Sequence, residues 1–466
     1  MHLVSIDNTI ILFYLLGVMT IGLWAGRNVK NLAEYSVAGR SYPAIIVFAT
    51  LSASFIGGGF TLGNAEKVFT IGIVSIVALW GFSLKEILVA KFIAPRLHYF
   101  PDAISVGDVM EKDYGKWGKV VSGVFSVLLC AGILGAQVGA MGYIFHVFLD
   151  IPVWVGILVG TGIVILYDTI GGMKAVVATD IVQFVVLAIG IPLTLYLGIR
   201  QVGGFSALIS QVPRDHLNIF SNITSWQFLS LFLTFLLGET LVPPYVQRLF
   251  VGKDSSTTAK GTFWSGLFSI PFFVITGMIG LVALVMKPDL DPNLSLPYVI
   301  QQVLPVGILG FVVAGIISVV MSSADSFLNS ASVAFTNDIV EPFKKEKIQG
   351  KDGLFMARMA TLITGSLAML FAIKINSVLD ILIYAYNFWA PIIMIPLAAT
   401  LLGVRATSRT FLAGAIAGIS GVFIWNMLLG KPGGFDGLII GVFCNIIVFS
   451  LVHKFSTRYK STAHEA

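Results

Sequence analysis

The 466-residue chain is 56% hydrophobic and only 11% charged, with a net charge of +5 and a mean hydropathy of +0.91. That composition is of a polytopic membrane protein and excludes a soluble multidomain one; the small basic excess calls for no nucleic-acid partner. Cys130 and Cys444 lie inside apolar runs, with no disulfide framework and no metal spacing, so packing is their expected role.

Thirteen spans are expected, at roughly 7–26, 43–66, 71–94, 119–149, 151–170, 175–199, 224–248, 261–286, 306–337, 354–374, 376–402, 410–429 and 436–456. The first follows Asp7, without a basic n-region or a cleavage site, and reads as a retained helix, not a signal peptide. The second holds Ser52, Ala53, Ser54, Phe55, Ile56 and the triplet Gly57-Gly58-Gly59. Three glycines in mid-membrane either admit a close neighbour or unwind the helix, and unwinding is tolerated only around a cavity or an ion.

The third span carries Lys85 and Glu86, three and four residues after Phe82. With Glu239 they are intramembrane charges of two possible kinds. One is an internal pair, Lys85 with Glu86 or Glu239; the other is recognition of a solute amino group or carboxylate. Between the fifth and sixth spans, Gly171-Gly172 marks a tight turn, and Asp180 follows with Thr179 and Gln183. Asp180 is either a helix-start residue favoured by the dipole or one carboxylate of a pair with Asp325. Such a pair needs a cation or a shared proton between its members.

The seventh span is interrupted at Gly238, Glu239 and Thr240, then by Pro243 and Pro244, which together should break it. Two broken helices five spans apart fit two five-helix repeats of opposite topology, with solute and ions bound between them at mid-membrane. The run 306–337, about 48 Å as one helix, contains Ser318 to Ser332. Ser322, Ser323 and Ser326 make a hydroxyl strip with Asp325 beside it. Oxygen donors of this kind suit a hard monovalent cation, and a sodium site is the working expectation.

With the N-terminus outside, 22 Lys and Arg fall in internal loops and the C-terminal tail, and 6 in external loops. Lys85, inside a span, completes the 29. The positive-inside rule therefore predicts N-out, C-in, with Lys344, Lys345, Lys347 and Lys351 as cytoplasmic orientation determinants. No soluble domain or long linker is expected, and hence no fused kinase or catalytic domain.

Three strings carry a family resemblance: GG-x-x-AV-x-x-TD-x-x-Q from Gly171 to Gln183, VMSSADS at 320–326 and PPYVQR at 243–248. Together they resemble the sodium/solute symporter family over essentially the whole chain. The motifs are most similar to its high-affinity choline transporter subgroup, including Gly57-Gly58-Gly59 followed by Ala65-Glu66. The resemblance implies an all-α polytopic fold with a LeuT-type inverted-repeat core of ten helices, 13 transmembrane helices in total. Residues 1–42 would hold the extra N-terminal helix and loop, 43–402 the transport core, and 403–466 two C-terminal helices and the tail. It implies sodium coupling, alternating access and residence in the cell membrane. No enzyme activity and no obligate protein partner are inferred.

Carried over residue by residue, the principal sodium site would use the carbonyls of Ala53, Ile56 and Val319 and the hydroxyls of Ser322 and Ser323. A second sodium, nearer the cytoplasm, would use Asp180, Ser322, Asp325 and Ser326, where described members have serine in place of Asp325. The expected cofactor is thus one or two sodium ions. The solute cavity would lie beside the broken second span, with Phe55, Gly57, Phe82, Gln137, Glu239, Val242 and Tyr384 as candidate contacts. Tyr245, Tyr386 and Asn387 are further polar candidates. Sugar carriers have Gln and Asn at the positions of Phe60 and Val242, and proline carriers have Asp at Phe55; this chain has none of these. Phe55 and Phe82 keep two places of an aromatic ammonium cage, but Ile133 and Val242 stand where tryptophans would. The solute expected is a small amino acid, amine or other zwitterion. Alternatives are proton coupling through Asp325, a non-transporting sensor on the same fold, and an intramembrane aspartyl hydrolase using Asp180 and Asp325.

Overall fold

The structure, a computed structural model, describes residues 5–56, 58–345, 350–374 and 387–462. These residues are almost wholly helical, and the only pairing between extended segments among them is one isolated bridge, Tyr42 to Gly252. The first part of the chain runs α1 (Ile6–Gly26), α2 (Leu32–Val37), α3 (Ala44–Phe55), α4 (Gly58–Ile71), α5 (Val74–Leu88), α6 (Val106–Leu149), α7 (Val153–Gly171) and α8 (Met173–Gln201). After the short α9 (Phe205–Gln211) come α10 (Ser225–Leu237), α11 (Pro243–Leu249), α12 (Ser255–Met286), α13 (Ser295–Val303) and α14 (Ile308–Val333). The last are α15 (Gly350–Lys374), α16 (Asn387–Leu401), α17 (Ser408–Phe423) and α18 (Gly437–Thr462).

Among the described residues nine helices are long and apolar enough to cross a membrane, or ten if the bent pair α3–α4 counts as one span. The other expected spans are occupied by shorter or interrupted helices. α5 has 15 residues and passes into a π and then a 3-10 turn up to Tyr99. α10 and α11 divide the seventh span, and residues 376–386 of the eleventh lie outside the described residues, leaving α16.

Local chemistry explains most helix ends. Side chains of Ser5, Asn31, Ser105, Thr224, Asp254 and Thr407 cap α1, α2, α6, α10, α12 and α17. α14 is capped from another helix: Asp7 Oδ1 of α1 accepts Gly307 N–H and Gly310 N–H, each at 2.7 Å. The expected glycine turn is present. α7 ends at Gly171, Gly172 takes φ +51°, and α8 begins at Met173. A Cβ on Gly172 would lie 2.5 Å from the Tyr35 carbonyl oxygen, so α2 can seat there only against glycine.

Both predicted breaks exist. α3 and the helical run from Phe60 meet at 50°. α10 ends at Leu237, and α11 starts with Pro243 and Pro244 in its first turn, where a missing N–H costs nothing. Two span edges differ from expectation. α4 continues to Ile71, and the turn falls at Gly72 (φ +84°), where a Cβ would meet the His216 carbonyl. α6 begins at Val106, well before 119, with Gly115 out of helical geometry at φ 64°.

α14 is the central element: 83% of its span is buried, against 28% for α1. It packs on α1, α3, α6, α7, α8, α11 and α15. α17 and α18 pair with one another at one side and touch α16.

Candidate cation site and solute cavity

α3 stops at Phe55, so the carbonyls of its last turn point past the end of the helix. Two of these are claimed by neighbours: Ser323 Oγ donates to the Ser54 carbonyl at 3.0 Å, and Thr61 Oγ1 donates to the Ile56 carbonyl at 2.7 Å. The α14 hydroxyl strip thus lies against the broken end of α3. Ala53, Ile56, Val319, Ser322 and Ser323 are all buried at this junction.

One layer away, the side chains converge on Asp180. Its Oδ1 accepts from Ser322 Oγ at 2.5 Å, and its Oδ2 accepts from Ser54 Oγ at 3.3 Å and from Thr50 Oγ1. Ser54 and Ser322 hydroxyls are 3.1 Å apart. The Arg248 guanidinium enters from α11. Its Nη2 donates to Asp180 Oδ2 at 3.1 Å and to Ser326 Oγ at 2.6 Å, and its Nε to Thr50 Oγ1 at 3.1 Å. Arg248 and Asp180 are both fully buried. Ser326 Oγ lies 3.2 Å from Asp325 Oδ1, and Tyr167 OH donates to Asp325 Oδ2 at 2.5 Å.

This arrangement settles one alternative and changes another. Asp180 lies well inside α8, which begins at Met173, so it is not a helix-start residue held by the dipole. Asp180 is paired with a cation of the protein itself: the Arg248 guanidinium spans Asp180 and Ser326. A residue count by loops places Arg248 among the cytoplasmic basic residues; the structure buries it in the core. Thr50, Ser54 and Tyr167 also belong to the site without having been singled out as ligands. The available signal was the arginine one turn after Pro244, inside an apolar run.

Around Ser54, Ser322, Ser323 and Ser326 the donors are oxygens only, the set a hard monovalent cation prefers over the nitrogen and sulfur ligands of transition metals. Among the described residues no group of three or more His, Cys, Asp or Glu could hold a metal. The donor set therefore fits sodium.

A cavity of about 240 Å³ adjoins this cluster. Ser54 and Ser323 line it together with Phe55, Gln137 and Glu239. Ile133, Phe60, Asn64, Thr234, Phe235 and Phe327 add to its wall, which extends to Glu66 and Lys67. Phe55, Gln137 and Glu239 are thus brought together as expected. Phe82 and Val242 are not: both are buried, and neither lines the cavity. Phe82 packs behind Phe60, ring centroids 5.1 Å apart. Gly57, Tyr384 and Tyr386 lie outside the described residues.

Lys85 and Glu86 form the internal pair, Nζ to Oε1 at 3.0 Å, with both side chains buried. The ammonium sits 3.8 Å from the Phe82 ring centroid, 4.5 Å from that of Tyr245 and 5.6 Å from that of Phe55. Of these three rings only Phe55 lines the cavity, so this cation of the protein is held behind the cavity wall.

The human high affinity choline transporter 1 is 27% identical over 449 residues, covering 89% of this chain and 75% of that protein. The sodium/glucose cotransporter of Vibrio parahaemolyticus is 25% identical, covering 92% and 86%. The osmoregulated proline transporter of Bacillus subtilis is 24% identical, covering 96% and 94%. These relatives are transporters, not enzymes, which removes the hydrolase alternative. The solved structure of a Na+-coupled sialic acid symporter superposes with a TM-score of 0.87 at 20% identity, covering 97% of this chain and 98% of that one, so the fold is shared. The sodium:solute symporter family model matches residues 35–418, and the chain belongs to that family.

Proposed function

We propose that the protein is a sodium-coupled secondary symporter that imports a small organic solute by alternating access. The observation that carries this reading is that Ser54 and Ser323 belong both to the oxygen cluster and to the wall of the solute cavity. A cation held there stiffens the wall the solute meets. The membrane potential contributes about 2.3 kcal/mol per charge per 100 mV to the import of each sodium.

The proposed principal ligands are the carbonyls of Ala53, Ile56 and Val319 with Ser322 and Ser323. A second sodium at Asp180, Ser322, Asp325 and Ser326 would have to share its ligands with Arg248, so we propose one sodium at the α3–α14 junction as the coupling ion. The architecture proposed is 13 transmembrane helices around a ten-helix inverted-repeat core at 43–402, N-terminus outside, C-terminus cytoplasmic. In that orientation Glu66 and Lys67 mark the external end of the cavity.

The relatives are named for choline, glucose and proline, so family membership leaves the solute open. About 240 Å³ is below the usual range for ligand pockets and favours a small solute. Glu239 and Gln137, in the same wall as Phe55, Phe60 and Phe235, favour an amino acid, amine or other zwitterion over a sugar. The Lys85 ammonium occupies the aromatic faces that a quaternary ammonium would need, which disfavours choline.

The test is uptake by proteoliposomes under an imposed sodium gradient, using solutes found by thermal-shift screening with and without sodium. Ser322→Ala combined with Ser323→Ala should abolish sodium-dependent uptake. Undiminished uptake by that variant at low sodium would overturn sodium coupling at this site.

A further inference from the structure

Asp168, at the end of α7, is a fully buried carboxylate that takes no part in the cation cluster described above. Asn329 Nδ2, from α14, donates to Asp168 Oδ1 at 3.2 Å. The two remaining oxygens of this pair, Asp168 Oδ2 and Asn329 Oδ1, are both buried and receive no hydrogen bond. If Asp168 were ionised, two bare acceptors would share a site without water access. A carboxylate so placed, with one neutral donor, carries a large desolvation penalty.

A single proton removes both defects. Placed on Asp168 Oδ2, it makes a donor whose natural partner is the Asn329 carbonyl oxygen, completing a cyclic acid–amide pair with the Nδ2 bond already present. We propose that Asp168 and Asn329 form a proton-binding site, with Asp168 a neutral acid in this conformation.

Among the described residues the charged and titratable groups around it give no other neutraliser. From α11, Arg248 is committed to Asp180 and Ser326. From α14, Asp325 is held by Tyr167 of α7, and Asp180 of α8 by Arg248; neither brings a positive charge to Asp168. From α2, Tyr35 OH donates to the Asp168 backbone carbonyl at 3.0 Å, not to its carboxylate. From α15, Arg358 Nη2 donates to the Ile170 carbonyl at 2.8 Å. α1 meets this end of α7 through glycine, Gly22 against Tyr167 and Gly26 against Gly171, and α6 meets α7 at the other end, around Val153 and Ile157.

The location gives the proton a mechanical effect. At Asp168, α7 is tied to α14 through Asn329 and to α2 through Tyr35, whose hydroxyl is also 2.7 Å from Thr361 Oγ1 of α15. Losing the proton leaves a buried charge facing the Asn329 oxygen, which favours separation of α7 from α14 and hydration of the gap. The bound proton therefore stabilises the conformation described here. The link to transport rests on the symporter reading; the protonation state of Asp168 does not.

Two measurements test this on the purified full-length protein. Infrared difference spectra recorded on raising the pH should show loss of a protonated-carboxyl C=O stretch in wild type, and that band should be missing in Asp168→Asn. In proteoliposomes, sodium-driven uptake by wild type should fall by about tenfold per pH unit once the acid dissociates, while Asp168→Asn, an amide at every pH, should show less than about a twofold change per unit over the same range. Exchanging the pair, Asp168→Asn with Asn329→Asp, restores one acid and one amide and should restore both the band and the pH dependence. If Asp168→Asn fails to fold, Asn329→Leu takes its place and should shift the band. Identical spectra for wild type and Asp168→Asn, or a band unmoved by Asn329→Leu, would overturn the site. So would a wild-type pH profile in Asp168→Asn. Uptake independent of sodium but with the expected infrared band would instead count against the symporter reading alone.

Discussion

Arg248→Met is the most informative single change in the core. The guanidinium is fully buried and donates to Asp180, Ser326 and Thr50 at 3.1, 2.6 and 3.1 Å. Its loss leaves Asp180 ionised among hydroxyls, with no positive charge in contact. Removing one member of a buried ion pair costs about 3–5 kcal/mol. Adding Asp180→Asn removes the stranded charge, so the double variant should recover most of that loss. What remains is the net value of the lost hydrogen bonds, about 1 kcal/mol each. Equilibrium unfolding in mixed micelles measures all three proteins. The same titrations with sodium separate two roles for Arg248. If the guanidinium stands where a second sodium would otherwise sit, sodium should protect Arg248→Met more than wild type, because Asp180 then has a vacant charge to fill. A double variant as unstable as Arg248→Met alone would refute the pairing argument, since the penalty would not arise from an uncompensated Asp180.

Two further predictions concern packing around the site. Lys85→Met alone strands Glu86 and should lose about 3–5 kcal/mol in the same unfolding assay, whereas Lys85→Met with Glu86→Gln should recover most of it. Because that pair lies behind the cavity wall, the double variant should change the KM for the imported solute by less than about threefold; Phe55→Ala should raise it by about tenfold, equivalent to 1.4 kcal/mol. Asp7→Ala removes the cap that α1 places on α14 and should cost about 0.5–2 kcal/mol, with Asp7→Asn, which keeps an acceptor, losing less.

Features decided by local chemistry were legible in the sequence. Apolar runs located the helices, the Gly57–Gly59 triplet and Pro243-Pro244 located the breaks, and helical spacing placed the serines of α14 on one strip. What was missed depends on contacts remote in sequence. Arg248 reaches residues 68 and 78 positions away, so counting it with its neighbours put it in a loop. Phe82 and Val242 were expected in the cavity because the family resemblance places solute contacts at those positions. In a largely apolar helix such as α5, however, hydropathy does not set the rotation about the axis, and Val242 stands outside any helix, extended at the start of α11; neither residue lines the cavity. The Lys85 pairing was left open between Glu86 and Glu239, and only the fold could choose. Asp168 stood in view beside the glycine turn, but its meaning depends on Asn329 of another helix.

The geometry also bears on how two ligands can be coupled. Ser54 and Phe55 are consecutive on the last turn of α3: the first belongs to the oxygen cluster and the cavity wall, and the second lines the cavity. Ser323 and Phe327, one turn apart on α14, repeat the arrangement, with Ser323 bonding the Ser54 carbonyl and both residues lining the cavity. A cation binding between α3 and α14 must therefore fix the positions of both phenylalanines. A solute pressed against those rings must in turn favour the α3–α14 spacing that suits the cation. Since coupling between two binding events is reciprocal, sodium should raise solute affinity by the same factor that solute raises sodium affinity. Arg248 has a different place in this scheme. It pairs with Asp180 inside the cluster, so on the proposed reading the exchangeable cation is left to the α3–α14 junction, where the helix is broken.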